Sequence, residues 1–226
     1  SGDVGYIFTL ATNTLTVVLA SGATMGGFVD GFFLSLDGAT ATLRISDLFD
    51  GLTWDPTQVQ QRTAGADPWV AMTVIHREIW LMGNQTSEVW YNAGAFPFPF
   101  QPIPGAFIEQ GTEAPFSPNR DVAPLLWLAA NAQGHSTVVM AEGYSARRVS
   151  THGIEQVIQR YETVSDAVSW SYQEDGHTFL CLNSLDDFDL PSWCLDLKTN
   201  EWHERSWLNY ESGIQERQRP EFHAYC

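Results

Sequence analysis

Six histidines, three cysteines and 27 Asp and Glu residues are the groups in this 226-residue chain that could bind a metal or move a proton. A zinc site needs ligands clustered at short, usable spacings. His76, His135, His152, His177, His203 and His223 do not provide them. Asp186, Asp187 and Asp189 crowd one loop, "NSLDDFDLPSW", where Ca²⁺ is conceivable. The spacing lacks the glycine and terminal Glu of an EF-hand, so a solvated acidic turn is the expectation. Nucleophilic catalysis would need a serine on a G-x-S-x-G elbow, and Ser145 in the loop "EGYSARR" has no such glycines. No phosphate-binding P-loop or strand-linked G-x-G-x-x-G is present. No catalytic, cofactor-binding or metal-binding residue is therefore assigned, and no cofactor is expected. Cys181, Cys194 and Cys226 fit no zinc or redox spacing, and an odd count rules out a complete disulfide framework. Cys181 and Cys194 lie in strand-like runs and read as buried free thiols on neighbouring strands, made in a reducing compartment.

The elements that must position these groups are strands. Period-2 alternation of apolar and polar residues dominates from "YIFTLATNTLTVVL" to "WCLDLKTNEWHERSW". "GGFVDGFFLSLDGATATLRIS" reads as two strands joined at Asp37-Gly38. "HREIWLMGNQTSEVWYNAG" alternates, turns at Gly83-Asn84 and alternates again, which predicts Glu78 and Glu88 facing outward and a local partner for Arg77. Glu174-Asp175-Gly176 and Lys198-Thr199-Asn200 predict further tight turns. "GAFPFPFQPIPGAF" cannot be a central strand, because its prolines do not donate to a ladder. It is a crossing loop or an edge, with phenylalanines that fill a gap or make an interface. One segment changes period. Ile154, Val157, Ile158 and Tyr161 define one helical face, with Ser150 or Thr151 as the cap, so one short helix over about 150–161 is expected.

Units of about forty to fifty residues with four short strands each are the pattern of β-propeller blades, with a β-sandwich as the structural rival. The fold class is all-β, with propeller-like blades of antiparallel strands and one short helix. "FDGLTWD", Phe49–Asp55, resembles the Asp-box turn of sialidase-like propellers, with Leu48 in place of its usual Ser or Thr. That turn is structural, and it implies no activity. The start "SGDVGYIF" is not a signal peptide, and "RPEFHAYC" stops within an alternating run. Residues 1–226 are expected to be one propeller-like domain, incomplete at both ends and excerpted from a longer chain.

The formal net charge is -16, with 11 Lys and Arg. Tight non-specific binding to nucleic acid is disfavoured, since it depends on cations that neutralise phosphates. No apolar run reaches the length of a membrane-spanning helix.

Five ordered motifs resemble those of the packaged-DNA stabilisation, or tail hub (nozzle), proteins of short-tailed bacteriophages. They are the His-Arg-Glu hairpin with Gly83, Thr86, Glu88, Val89 and Gly94; Ile108, Glu109 and Gly111; "GYSARRVSTHGIEQVI", with Gly143, Tyr144, Arg148, Ser150, Thr151, His152, Ile154 and Glu155; "DGHTF"; and "WCLDLKTNEWHER", with Trp193, Asp196, Thr199, Trp202, His203, Glu204 and Arg205. The resemblance spans Gly31 to Arg205. It implies a non-enzymatic virion protein, made in the host cytoplasm and assembled into a ring below the portal and its adaptor. Such a ring would seal packaged DNA, conduct it during ejection without tight binding, and bear fibre or needle proteins. The acidic balance agrees, because a negative wall lets DNA slide. The alternative class is a carbohydrate-active propeller, a glycoside hydrolase or lectin using two of the many carboxylates.

Overall fold

A computed structural model describes residues 3–62, 65–119, 124–130, 136–184 and 192–217. The chain divides into two compact units, Ser1–Gly111 and Thr112–Cys226.

The first unit opens with a hairpin, β1 (Gly5–Thr9) and β2 (Thr14–Leu19). Two four-stranded antiparallel meanders follow. The first is β3 (Met25–Val29), β4 (Phe32–Asp37), β5 (Thr42–Ile45) and β6 (Val59–Gln61). The second is β7 (Trp69–Ile75), β8 (Glu78–Gly83), β9 (Ser87–Asn92) and β10 (Phe100–Ile108). Leu34, Leu36, Leu43 and Ile45 of the first meander share one buried cluster with Trp69, Ile79, Leu81, Trp90 and Phe100 of the second. Each such side chain stabilises by about 1.5–3 kcal/mol when fully buried. Trp69 and Trp90 meet edge to face at 5.8 Å, a geometry favoured by the ring quadrupoles.

The turns show how local chemistry fixes register. "VDGF" makes a two-residue hairpin turn, with Asp30 at φ 49° and Gly31 at φ 88°. The Asp-Gly pair expected to do this, Asp37-Gly38, does not. Asp37 instead accepts backbone hydrogen bonds from Ala39 and Thr40 in a four-residue loop, and Ala41 takes the positive φ. The segment accordingly holds three strands rather than two. His76 and Arg77 form a second two-residue turn at φ 50° and 65°. Asp175-Gly176 forms a third, as the sequence predicts.

The Pro-rich segment supplies β10, the edge strand beside β9, with an irregular register between Pro102 and Phe107. Its phenylalanines divide: Phe98 and Phe100 are buried, while Phe96 and Phe107 are exposed.

The second unit contains a three-stranded sheet, β11 (Leu126–Ala129), β12 (Thr137–Glu142) and β13 (Ser145–Arg148). Ser145 thus opens a strand instead of lying in a loop. The helix α1 (His152–Ile158) follows, capped by Thr151. A five-stranded meander completes the unit: β14 (Val168–Glu174), β15 (His177–Asn183), β16 (Ser192–Asp196), β17 (Glu201–Asn209) and β18 (Ile214–Arg217). Ile154 and Ile158 pack with Leu126, Leu128 and Val138 from the three-stranded sheet and Leu180, Leu182 and Leu195 from the five-stranded one. The apolar face read from the sequence is therefore the face that docks the helix.

Cys181 and Cys194 are not free thiols. They stand opposite each other on β15 and β16 and form a disulfide. Direct cross-strand pairing brings the two Cβ atoms close enough for an S–S bond to span them. The inference of a reducing compartment from free thiols falls with this correction. Among the described residues, no helix is long and apolar enough to cross a membrane.

Candidate functional site

A dense polar cluster lies in the first unit. Arg62 follows β6, and its side chain is 3% exposed. Its Nε donates to Glu88 Oε1 at 2.7 Å, and Nη1 donates to the Asp67 carbonyl at 2.8 Å. Nη1 also lies 2.9 Å from Asp67 Oδ1, and Nη2 donates to Thr86 Oγ1. Glu88 is 1% exposed and accepts from Trp90 Nε1 at 3.1 Å. The expectation that Glu88 points outward is wrong. β8 and β9 are buried on both faces through most of their length, so alternation does not deliver Glu88 to solvent.

Asp67 Oδ2 accepts the backbone N–H groups of Gln85 and Thr86, which pins the loop between β8 and β9. Burial raises its carboxyl pKa, but these N–H groups, Thr86 and Arg62 together hold it below the ordinary 3.8. Space here is tight. A Cβ on Gly83 would stand 2.1 Å from Asp67 Oδ2, and one on Gly111 would stand 2.1 Å from the Gly83 carbonyl oxygen. Of the motif residues named above, Gly83, Thr86, Glu88 and Gly111 therefore converge on one clamp. Arg62 and Asp67, which complete the clamp, carry no local mark in the sequence. The only available signal was Glu88 itself, a carboxylate inside an apolar run.

Arg77 pairs with Asp30, a partner 47 residues away at 2.7 Å, and not with a neighbour on its own hairpin. That hydrogen bond holds the Asp30 carboxyl below its ordinary value. The "FDGLTWD" turn lies between β5 and β6. Asp50 accepts from Leu52 N and from Thr53 Oγ1, while Trp54 Nε1 donates to the Gly51 carbonyl. Every polar group named there is spent on the turn itself.

In the second unit, Glu155 is buried and accepts from Arg148 and from Ser150 Oγ. Ser150 N–H and Val149 N–H both donate to the Val138 carbonyl. Ser150 thus ties strand to helix while Thr151 caps. Trp202 Nε1 donates to the Val149 carbonyl at 3.0 Å. His177 Nδ1 lies 2.6 Å from Asp196 Oδ2, and Lys198 N donates to Asp196 Oδ1. Burial opposes ionisation of Asp196, but the Lys198 N–H, His177 and Thr199 outweigh it and hold the carboxyl at about 2.

These clusters are brackets. Each of the carboxylates named accepts from at least two donors, which suits a rigid scaffold. Among the described residues, no three His, Cys, Asp or Glu side chains converge on a metal site. Asp186, Asp187, Asp189, His135, His223 and Cys226 lie outside the described residues.

The family model described as bacteriophage P22 Gp10, β-propeller, matches residues 13–226. The chain belongs to that phage stabilisation family. The antiparallel meanders are accordingly propeller blades, and the protein is a structural phage protein of the virion. No curated protein matches the chain. Matching solved structures include a crystal structure of a Bacteroides fragilis protein described as a candidate exported protein. It is 9% identical over 90% of this chain and 75% of that one, with a TM-score of 0.30, too low to carry an argument.

Proposed function

We propose that this phage stabilisation protein is a subunit of the tail hub or nozzle, a ring that seals packaged DNA in the virion and conducts it during ejection. The observation that carries the reading is the family match over residues 13–226. The charge supports it. A net charge of -16 disfavours tight phosphate contact, as a channel that must release DNA requires. The polar brackets support it too, since a pressure-bearing conduit needs stiffness and no catalytic group.

On this reading the subunit is synthesised in the host cytoplasm, self-assembles on the portal-adaptor assembly, and carries fibre or needle proteins at its far side. It performs no chemistry. The test is reconstitution of full-length protein with portal-adaptor assemblies, followed by DNA retention in filled heads. Retention that requires the protein is the expected outcome. Filled heads that hold DNA equally well without it would remove the sealing role.

A further inference from the structure

The alternation that buries Leu43 and Ile45 in the core turns Thr42 and Arg44 to the opposite face of β5. The β5–β6 register sets Gln61 directly opposite Thr42 and Val59 opposite Arg44, so these four share that outer face. Together with Val18 and Leu19 of β2, and Trp54 and Asp55 of the loop before β6, they line a cleft of about 750 Å³. Small-molecule sites span about 300–1,000 Å³. Trp54, Val18 and Leu19 also line a second cavity of about 310 Å³, so the two spaces adjoin at the indole.

The groups on these walls select a chemistry. Trp54 donates its indole N–H to the Gly51 carbonyl at 2.7 Å, which fixes the ring and leaves it an apolar face to offer. Arg44 is paired with Asp37 at 3.4 Å and donates through Nη1 to the Ser21 and Gly22 carbonyls, so its Nε–H is left over. Asp55 is the one acidic residue lining the cleft among the described residues. Its Oδ1 accepts from the Thr57 N–H and hydroxyl, which hold the carboxyl below its ordinary value, and Oδ2 is left to accept. The exposed Gln61 amide has no partner among the described residues. An ionised carboxylate beside an already neutralised guanidinium turns away phosphates and acidic sugars. A purely apolar guest would strand the donors and acceptors. The match is an uncharged ligand with hydroxyls at its rim and C–H groups on its face. A neutral sugar ring has both. Its hydroxyls satisfy donors and acceptors alike, and its C–H face meets the negative face of the indole.

We propose that this cleft binds a neutral oligosaccharide, with Trp54 as the platform and Asp55, Gln61 and Arg44 reading the ring hydroxyls. The site lies beyond the conduit role and does not depend on it. It binds and does not hydrolyse, because glycoside cleavage uses a pair of carboxylates and Asp55 is alone in the described lining. The adjoining cavity gives a second ring room past Trp54.

The test offers the full-length protein neutral trisaccharides of glucose, galactose, mannose and N-acetylglucosamine at up to about 10 mM, read by saturation-transfer NMR and titration. Wild type is expected to bind at least one of them. Gln61→Ala should weaken that binding about 5–10-fold, the loss of one net hydrogen bond, and leave the melting curve unchanged because the amide has no partner in the fold. Trp54→Ala should abolish binding, and Trp54→Phe should restore part of it, since a ring face remains. A wild type that binds none of the trisaccharides would overturn the site. So would a trisaccharide bound equally by wild type, Gln61→Ala and Trp54→Phe. Choline or inorganic phosphate bound in place of the sugars, and lost in Gln61→Ala, would assign the cleft to an ion and overturn the saccharide as its ligand.

Discussion

Arg62→Ala is the sharpest probe of the bracket account. Its guanidinium is the cation that contacts both Glu88, whose side chain is 2% exposed, and Asp67, at 10%. Removing it strands two carboxylates where water reaches poorly. Breaking a buried pair from one side costs about 3–5 kcal/mol, against a typical total of about 5–15 kcal/mol. Arg77→Ala is the matched control. It breaks an equally short bond to Asp30, but the Arg77 side chain is 81% exposed, so water screens the pair and the loss should be much the smaller of the two. Glu88→Gln should fall between them. The Trp90 indole keeps an acceptor and Arg62 keeps Asp67, so about 1–3 kcal/mol is expected. The double variant Arg62→Ala with Glu88→Gln should cost less than the sum, because the charge left stranded by the first change is gone. The assay is urea unfolding, with hydrogen exchange in β8 and β9 assigning the loss to the first unit. An Arg62→Ala cost no larger than that of Arg77→Ala would refute the reasoning, since burial would then have given the pair no special weight.

Other predictions address single features. Peptide mapping of the unreduced protein should find Cys181 and Cys194 joined to each other. Cys181→Ser with Cys194→Ser should destabilise the second unit by about 3 kcal/mol, the chain-entropy effect of a bridge spanning 13 residues, and unchanged urea curves would contradict this. Gly111→Ala should unfold or severely destabilise the first unit, because its Cβ meets backbone atoms at 2.1 and 2.5 Å that no rotamer change can clear; a wild-type melting curve would refute the close approach. Asp196 has a depressed carboxyl pKa, so its stabilising contribution is full above about pH 4 and is lost as pH falls toward its value of about 2. Acid titration followed by hydrogen exchange in β15 and β16 should therefore show a step over that window in wild type that Asp196→Asn lacks. His76→Asn should stabilise by up to about 1 kcal/mol in a thermal melt, because asparagine tolerates the positive φ of that turn better; destabilisation would count against the turn assignment.

Much of the fold is legible in the sequence because strand alternation and turn chemistry are local. The α1 face, the Asp175-Gly176 turn and the edge role of the Pro-rich strand all follow from residues within a few positions of one another. What the sequence hides is set by partners far along the chain. Glu88 looks outward by alternation, and the cation that makes its burial tolerable, Arg62, stands 26 residues earlier. Cys181 and Cys194 look like independent core residues until the register of β15 and β16 places them opposite. Asp30-Gly31 and Asp37-Gly38 are the same dipeptide, and pairing beyond the turn decides which one closes a two-residue hairpin. The family motifs mark the brackets correctly without revealing what completes them.

The proposed role of this protein as a ring-forming conduit subunit is tested most directly by the mass of the full-length protein in solution, measured alone and with portal-adaptor assemblies. A discrete ring of fixed stoichiometry on that assembly is the predicted result. A monomer at all concentrations that ignores the assembly would contradict the account and direct attention to glycan binding.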